Sequence, residues 1–155
     1  MRKKYIFYVA LIFFIFNMAP AYSDTIKVSS EQLNVSRGDN ISVFSGNAYA
    51  EDVDIKLWSD KISMFYDETK NSIYRIIAEG KVKIIVEGVT AYGNFSEYKV
   101  NNEELLLEGD VVVIENDNKI QSDKLILDLA NSTSIMTSET NKRVTAEINK
   151  LNNEE

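Results

Sequence analysis

The sequence predicts an all-β, antiparallel fold built from repeated β units of roughly thirty residues, and three observations predict it. First, a Gly-centred segment occurs three times, as Phe44-Ser45-Gly46-Asn47-Ala48-Tyr49-Ala50, Ala78-Glu79-Gly80-Lys81-Val82-Lys83-Ile84-Ile85-Val86 and Leu107-Glu108-Gly109-Asp110-Val111-Val112-Val113. In each copy an apolar residue stands two before the Gly and another two after it, which is the period of an extended strand with one apolar face. Second, a polar echo follows each Gly: Ser59-Asp60-Lys61-Ile62, Tyr92-Gly93-Asn94-Phe95 and Ser122-Asp123-Lys124-Leu125. The steps from Gly to the closing apolar residue are 16, 15 and 16 (46 to 62, 80 to 95, 109 to 125), and Ser30-Glu31-Gln32-Leu33 reads as a truncated fourth copy. Third, the segments after residue 24 show alternation and turn signals rather than a helical stripe.

Residues 1–23 stand apart from this pattern. Arg2, Lys3 and Lys4 are followed by an apolar run over 5–18, broken only by Asn17, and then by Ala19-Pro20-Ala21-Tyr22-Ser23. A basic start, a short apolar run and small residues are the marks of a cleaved signal peptide, giving Asp24 or Tyr22 as the mature start. The apolar run is shorter than the roughly 20 residues a spanning helix needs. Export would take the protein out of the cytoplasm, and the sequence has no cysteine to form disulfides, ligate a metal or carry a lipid. Losing three of the 17 basic residues leaves 14 against 24 acidic ones, near −10. Such a surface argues against nucleic acid as a partner.

Residues 24–148 are expected to form one domain and 149–155 a polar tail. Strands are predicted over 41–50, 53–58, 61–66, 74–86, 95–98, 104–114, 124–129 and 143–148, where Ile, Val, Tyr and Phe are dense. Arg37-Gly38-Asp39-Asn40, Asp67-Glu68-Thr69-Lys70-Asn71, Asn101-Asn102 and Asn116-Asp117-Asn118 supply turn chemistry between them. Parity puts Phe44, Ala48, Leu57, Ala78, Val82, Ile84, Leu107, Val111 and Leu125 on one face and Asp54, Lys56, Glu79, Lys81, Lys83, Glu108 and Asp110 on the other. The apolar faces can close as a dry sandwich core or wrap a trough that holds an apolar guest.

The Gly-x-Val-x-Ile pattern, the Ser-Asp-Lys-Ile/Leu echo, the length and the signal segment together resemble the LptA (OstA-like) family of periplasmic lipopolysaccharide transport proteins, over residues 26–148. The resemblance implies an open-ended, trough-like β-jelly-roll whose interior carries acyl chains of lipopolysaccharide. It also implies end-to-end homo-oligomers between an inner-membrane LptC-like partner and an outer-membrane LptD-like partner. Matched to the repeats, the lipid-binding lining is Leu57, Ile62, Met64, Val82, Ile84, Val86, Phe95, Val111, Val113, Leu125 and Leu127. Docking edges are expected at 26–35 and 143–148. Lys81 and Lys83 are interleaved with Glu79 and Glu87, which predicts weak headgroup selectivity.

No catalysis, cofactor or metal is expected. The sequence has no His and no Cys, which removes histidine triads, thiol nucleophiles and histidine-ligated metals. The carboxylate pairs Asp52/Asp54 and Glu108/Asp110 fall on the solvated parity, and Glu51-Asp52-Val53-Asp54 lacks calcium-loop spacing. Arg37-Gly38-Asp39 reads as a turn and Trp58 as a strand-end packing residue. Two alternatives stay open: a membrane-tethered LptC-like relative, and a structural or adhesive surface β-protein with a dry core.

Overall fold

The computed structural model describes residues 25–69 and 71–149. The signal segment 1–23 and most of the 149–155 tail lie outside the described residues. Ten strands follow in order: β1 (Lys27–Ser29), β2 (Gln32–Ser36), β3 (Ile41–Glu51), β4 (Ile55–Asp67), β5 (Ser72–Val86), β6 (Val89–Lys99), β7 (Glu104–Glu115), β8 (Asn118–Asp128), β9 (Thr133–Thr137) and β10 (Thr145–Glu147). All pairings are antiparallel, and β3 to β8 each pair with their sequence neighbours. Tight turns make this possible. Glu87 and Gly88 (φ 49° and 84°) and Asn116 and Asp117 (φ 44° and 68°) form two-residue hairpins with positive φ at both positions, the primed geometry that matches strand twist.

Each long strand's ladder breaks near its middle, and the β4–β5 pair has a further shift between Phe65 and Tyr66. Register shifts fall between Ser45 and Ala48, Trp58 and Lys61, Glu79 and Val82, Tyr92 and Phe95, and Glu108 and Val111. The breaks line up across the sheet as a crease that divides it into two half-sheets. The first contains 32–36, 41–45, 61–67, 72–79, 95–99, 104–108, 124–128 and 133–137; the second contains 27–29, 48–51, 55–59, 82–86, 89–93, 111–115, 118–122 and 145–147. One buried cluster draws on both halves, with Ile62, Met64, Ile76, Ala78, Leu105, Leu107 and Leu125 from the first and Ala48, Ala50, Val82, Ile84, Ala91 and Val111 from the second. The sheet is therefore folded over along its crease, with apolar faces inward: an all-β, antiparallel jelly-roll left open rather than closed.

The two predicted strands 53–58 and 61–66 are one strand, β4, bent at Ser59-Asp60. The stretch 133–137, which carried no prediction, is the edge strand β9. β1 with β2, and β9 with β10, are interrupted strands that cap the two ends, each half pairing on one side only.

Candidate functional site

The crease accounts for both sequence motifs. Each Gly and its follower have positive φ: Gly46 and Asn47 (82° and 45°), Gly80 and Lys81 (79° and 48°), Gly109 and Asp110 (86° and 48°). Two residues on this strand face one on its neighbour, a bulge that turns the chain sharply. Above each Gly lies the central residue of an echo motif: a Cβ on Gly46 would strike Glu31, one on Gly80 would strike Asp60, and one on Gly109 would come within 2.8 Å of Asn94 Nδ2. The Ser of the echo binds its own backbone. Ser30 Oγ donates to Gln32 O (2.8 Å), Ser59 Oγ to Lys61 O (3.0 Å) and Ser122 Oγ to Lys124 O (3.1 Å), satisfying a carbonyl at the break in the ladder. Gly93 takes the Ser place in the remaining copy, where a Cβ would meet Leu107 Cδ1 at 2.7 Å.

Each echo also shifts side-chain parity by one. In β4, Leu57 and Ser59 face inward and then Ile62 and Met64; in β8, Ser122 faces inward and then Leu125 and Leu127. The predicted lining residues Ile62, Met64, Val82, Ile84, Val111 and Leu125 are 0–3% exposed. Leu57, Val113 and Leu127 are partly buried against the same cluster. Val86 lies at the rim.

Phe95 is placed differently from the prediction. Its Cα partners are Glu79 and Glu108, whereas the next residue, Ser96, partners the inward Ala78 and Leu107 and is 3% exposed. Phe95 corresponds to Lys61 and Lys124, on the outer face. The parity shift of the Gly93-Asn94-Phe95 echo, opposite the bulges at Gly80-Lys81 and Gly109-Asp110, causes this, and the irregular step of 15 residues was its trace: measured to Ser96, the step is 16 (80 to 96).

The folded edges leave a seam. One lip carries Asp52, Asp54, Ile55, Val86, Glu87 and Val89, the other Tyr98, Glu103, 127–129 and 132–134, around an opening of about 580 Å³. Its floor is apolar and its rims are acidic on both sides. The lips lie close enough to interact electrostatically: the Tyr98 phenol is pushed up first by burial, then by Glu103 of its own lip and Asp52 of the opposite one. Beneath the seam, Ile55 and Tyr98 also line an internal cavity with Leu57, Ile76, Ala78, Ile84, Ser96 and Leu105. That cavity is only about 40 Å³, near the ~30 Å³ share of one liquid water. The protein's own side chains fill the interior.

A family model described as LptA/(LptD N-terminal domain) LPS transport protein matches residues 27–133. The chain belongs to this LPS transport family. The match spans the described strands from β1 to the first residue of β9, so the crease lies inside the family domain with all of the seam lining but Ser134. LptH from Pseudomonas aeruginosa, described as the LptA homologous periplasmic component of the lipopolysaccharide transport device, superposes with a TM-score of 0.73. It is 16% identical, with 82% of this chain and 96% of that chain covered, and shares the fold. A comparison with curated proteins finds no match.

In this LPS transport domain the acidic turns are engaged locally. Asp52 Oδ1 accepts the amides of Asp54 (3.0 Å) and Ile55 (2.8 Å), an Asx turn that starts β4. Among the described residues no group of three or more His, Cys, Asp or Glu is disposed to hold a metal ion.

Proposed function

We propose that the protein is a periplasmic carrier of lipopolysaccharide, not a catalyst, which encloses acyl chains between its two half-sheets. The observation that carries this is the apolar interior of an LPS transport domain, reached through a lateral seam. Residues 24–148 form the working domain, after a signal peptide over 1–23 and before a polar tail over 149–155. Leu57, Ile62, Met64, Val82, Ile84, Val86, Val111, Val113, Leu125 and Leu127 contact the lipid tails. An acyl chain of about a dozen methylenes gains on the order of 10 kcal/mol on leaving water, at ~0.8 kcal/mol per group. That is enough for an acidic protein to hold an anionic lipid by its tails.

Loading requires the lips to part and interior side chains to move, since a 40 Å³ cavity holds no chain. The ends supply the assembly surfaces. On β2, Leu33 and Val35 are 54% and 56% exposed although they share the inward parity of Phe44 and Ser42. Unpaired edges with uncovered apolar side chains favour strand addition. The protein thus joins end to end, through 26–35 and 143–148, in a bridge between LptC-like and LptD-like partners.

The filled interior favours a second reading, a structural β-protein with a dry core. Photocrosslinking in cells separates the two. Probes at Leu57 and Val86 should form lipopolysaccharide adducts, and a probe at Lys124, on the outside of the first half-sheet, should not. Folded protein without adducts at Leu57 and Val86 would establish the dry core.

A further inference from the structure

The outer surface of the second half-sheet carries a cross-strand row: Tyr49, Trp58, Lys83, Tyr92, Val112 and Gln121 are successive Cα partners on β3 to β8. Within it the Tyr49 and Trp58 rings lie 4.9 Å apart, and Lys83 Nζ sits 5.1 Å from the Trp58 centroid and 6.0 Å from that of Tyr92. Lys83 thus lies against two aromatic rings, and Tyr92 is 39% exposed. Beside them the crease opens a groove of about 540 Å³, lined by Trp58, Lys81, Lys83, Tyr92, Asn94 and Asp110 among others. The acidic interleaving seen in sequence is undone in space, because Glu79 pairs with Lys61 and Glu87 stands at the hairpin tip. Lys81 is ion-paired with Asp60 at 3.7 Å, which leaves Lys83, held on the rings, as the groove's cation without a carboxylate ion pair among the described residues, on a chain of net charge −7.

We propose that this groove binds the anionic sugar portion of the lipopolysaccharide whose tails occupy the interior, an inference that rests on the carrier reading above. Aromatic faces stack on the apolar faces of sugar rings, a lysine held between them meets a phosphate or carboxylate, and Asn94 and Asp110 supply hydrogen-bonding partners for hydroxyls. Continuity with the seam selects this occupant. Val86, Glu87 and Val89 of the seam lip form the tip of the β5–β6 hairpin, and Lys83 and Tyr92 lie three residues back on its two strands. That is about 10 Å at ~3.3 Å per residue, so a saccharide leaving the seam over this lip arrives on the platform.

Trp58 is the single tryptophan of the chain and reports on its own site. The full-length mature protein is titrated with lipid-free, phosphorylated core oligosaccharide released from lipopolysaccharide by mild acid, with neutral dextran as comparison. Saturable change in Trp58 emission is expected with the oligosaccharide and not with dextran. Lys83→Gln and, separately, Tyr92→Ser should each weaken binding about tenfold, with unchanged thermal unfolding and unchanged photocrosslinking of lipid A lacking the core oligosaccharide at Val86. No saturable change in the wild-type protein, or wild-type affinity in both variants, overturns the platform. Oligosaccharide binding lost in the variants while Val86 fails to crosslink lipid A would uphold the platform and overturn the trough.

Discussion

Lys81 is poorly suited to its backbone. Its φ of 48° is shared by Asn47 and Asp110 at the same point of the other creases, and Asn and Asp enter the left-handed region more readily than Lys does. Lys81→Asn should raise stability by about 0.5–1 kcal/mol in denaturant unfolding, since the long side chain is 87% exposed and its ion pair with Asp60 spans 3.7 Å. The reverse holds at Gly93, where Gly93→Ala should cost about 1–3 kcal/mol by driving a methyl into Leu107. Most lining residues were legible in sequence because alternation is faithful within a half-strand, as Val82 and Ile84 or Val111 and Val113 show. Phe95 was not, because a bulge moves parity by one without a change in hydrophobicity: the inward place belongs to a serine and the outward one to the aromatic.

At the level of elements, the same bulges explain why β4 looked like two strands, since Ser59-Asp60 has turn composition but bends a continuous ladder. β9 escaped notice because an edge strand needs no clean alternation; Ile135 is 61% exposed on it. The link from β9 to β10 is held by Asp123, whose carboxylate accepts from Lys142 Nζ (2.8 Å) and the Glu139 amide (2.9 Å). These bonds, the lysine's first, hold the Asp123 carboxyl below its ordinary 3.8. A carboxylate with a lowered pKa stabilises the fold above the ordinary value and ceases to do so as pH falls through the lowered one. Amide exchange in 138–147 should therefore accelerate selectively on acidification below 3.8, and Asp123→Asn should accelerate it at neutral pH while leaving β5 and β6 unchanged. Deleting 143–155 should abolish self-association and LptC-like binding, as read by light scattering and pull-down.

For the whole molecule, the carrier role proposed above requires the seam to open. Asp52, Asp54 and Glu87 face Glu103 and Asp128 across it, and like charges on opposed lips favour parting. Cysteines placed at Asp52 and Glu103, in a chain that has none of its own, and joined by a bifunctional thiol reagent should block lipid loading more than tenfold. Addition of reductant to a cleavable linker should restore it. Nothing in the sequence alone located this seam, since it brings together turns from both half-sheets, from Asp52 to Asp128, and depends on where the crease falls.

Because each long strand crosses the crease and pairs with its sequence neighbours, the domain grows by addition, like rungs on a ladder. Inserting one more hairpin would lengthen the conduit by about 9.6 Å, two strand spacings of ~4.8 Å, and leave its bore unchanged. Length and cross-section are thus set by separate parts of the sequence: the number of Gly-x and Ser-Asp-Lys copies sets the span, and the distance from crease to turn sets the width. Under the bridging reading proposed above, a lineage could match a wider or narrower gap between membranes by counting repeats, without redesigning the wall.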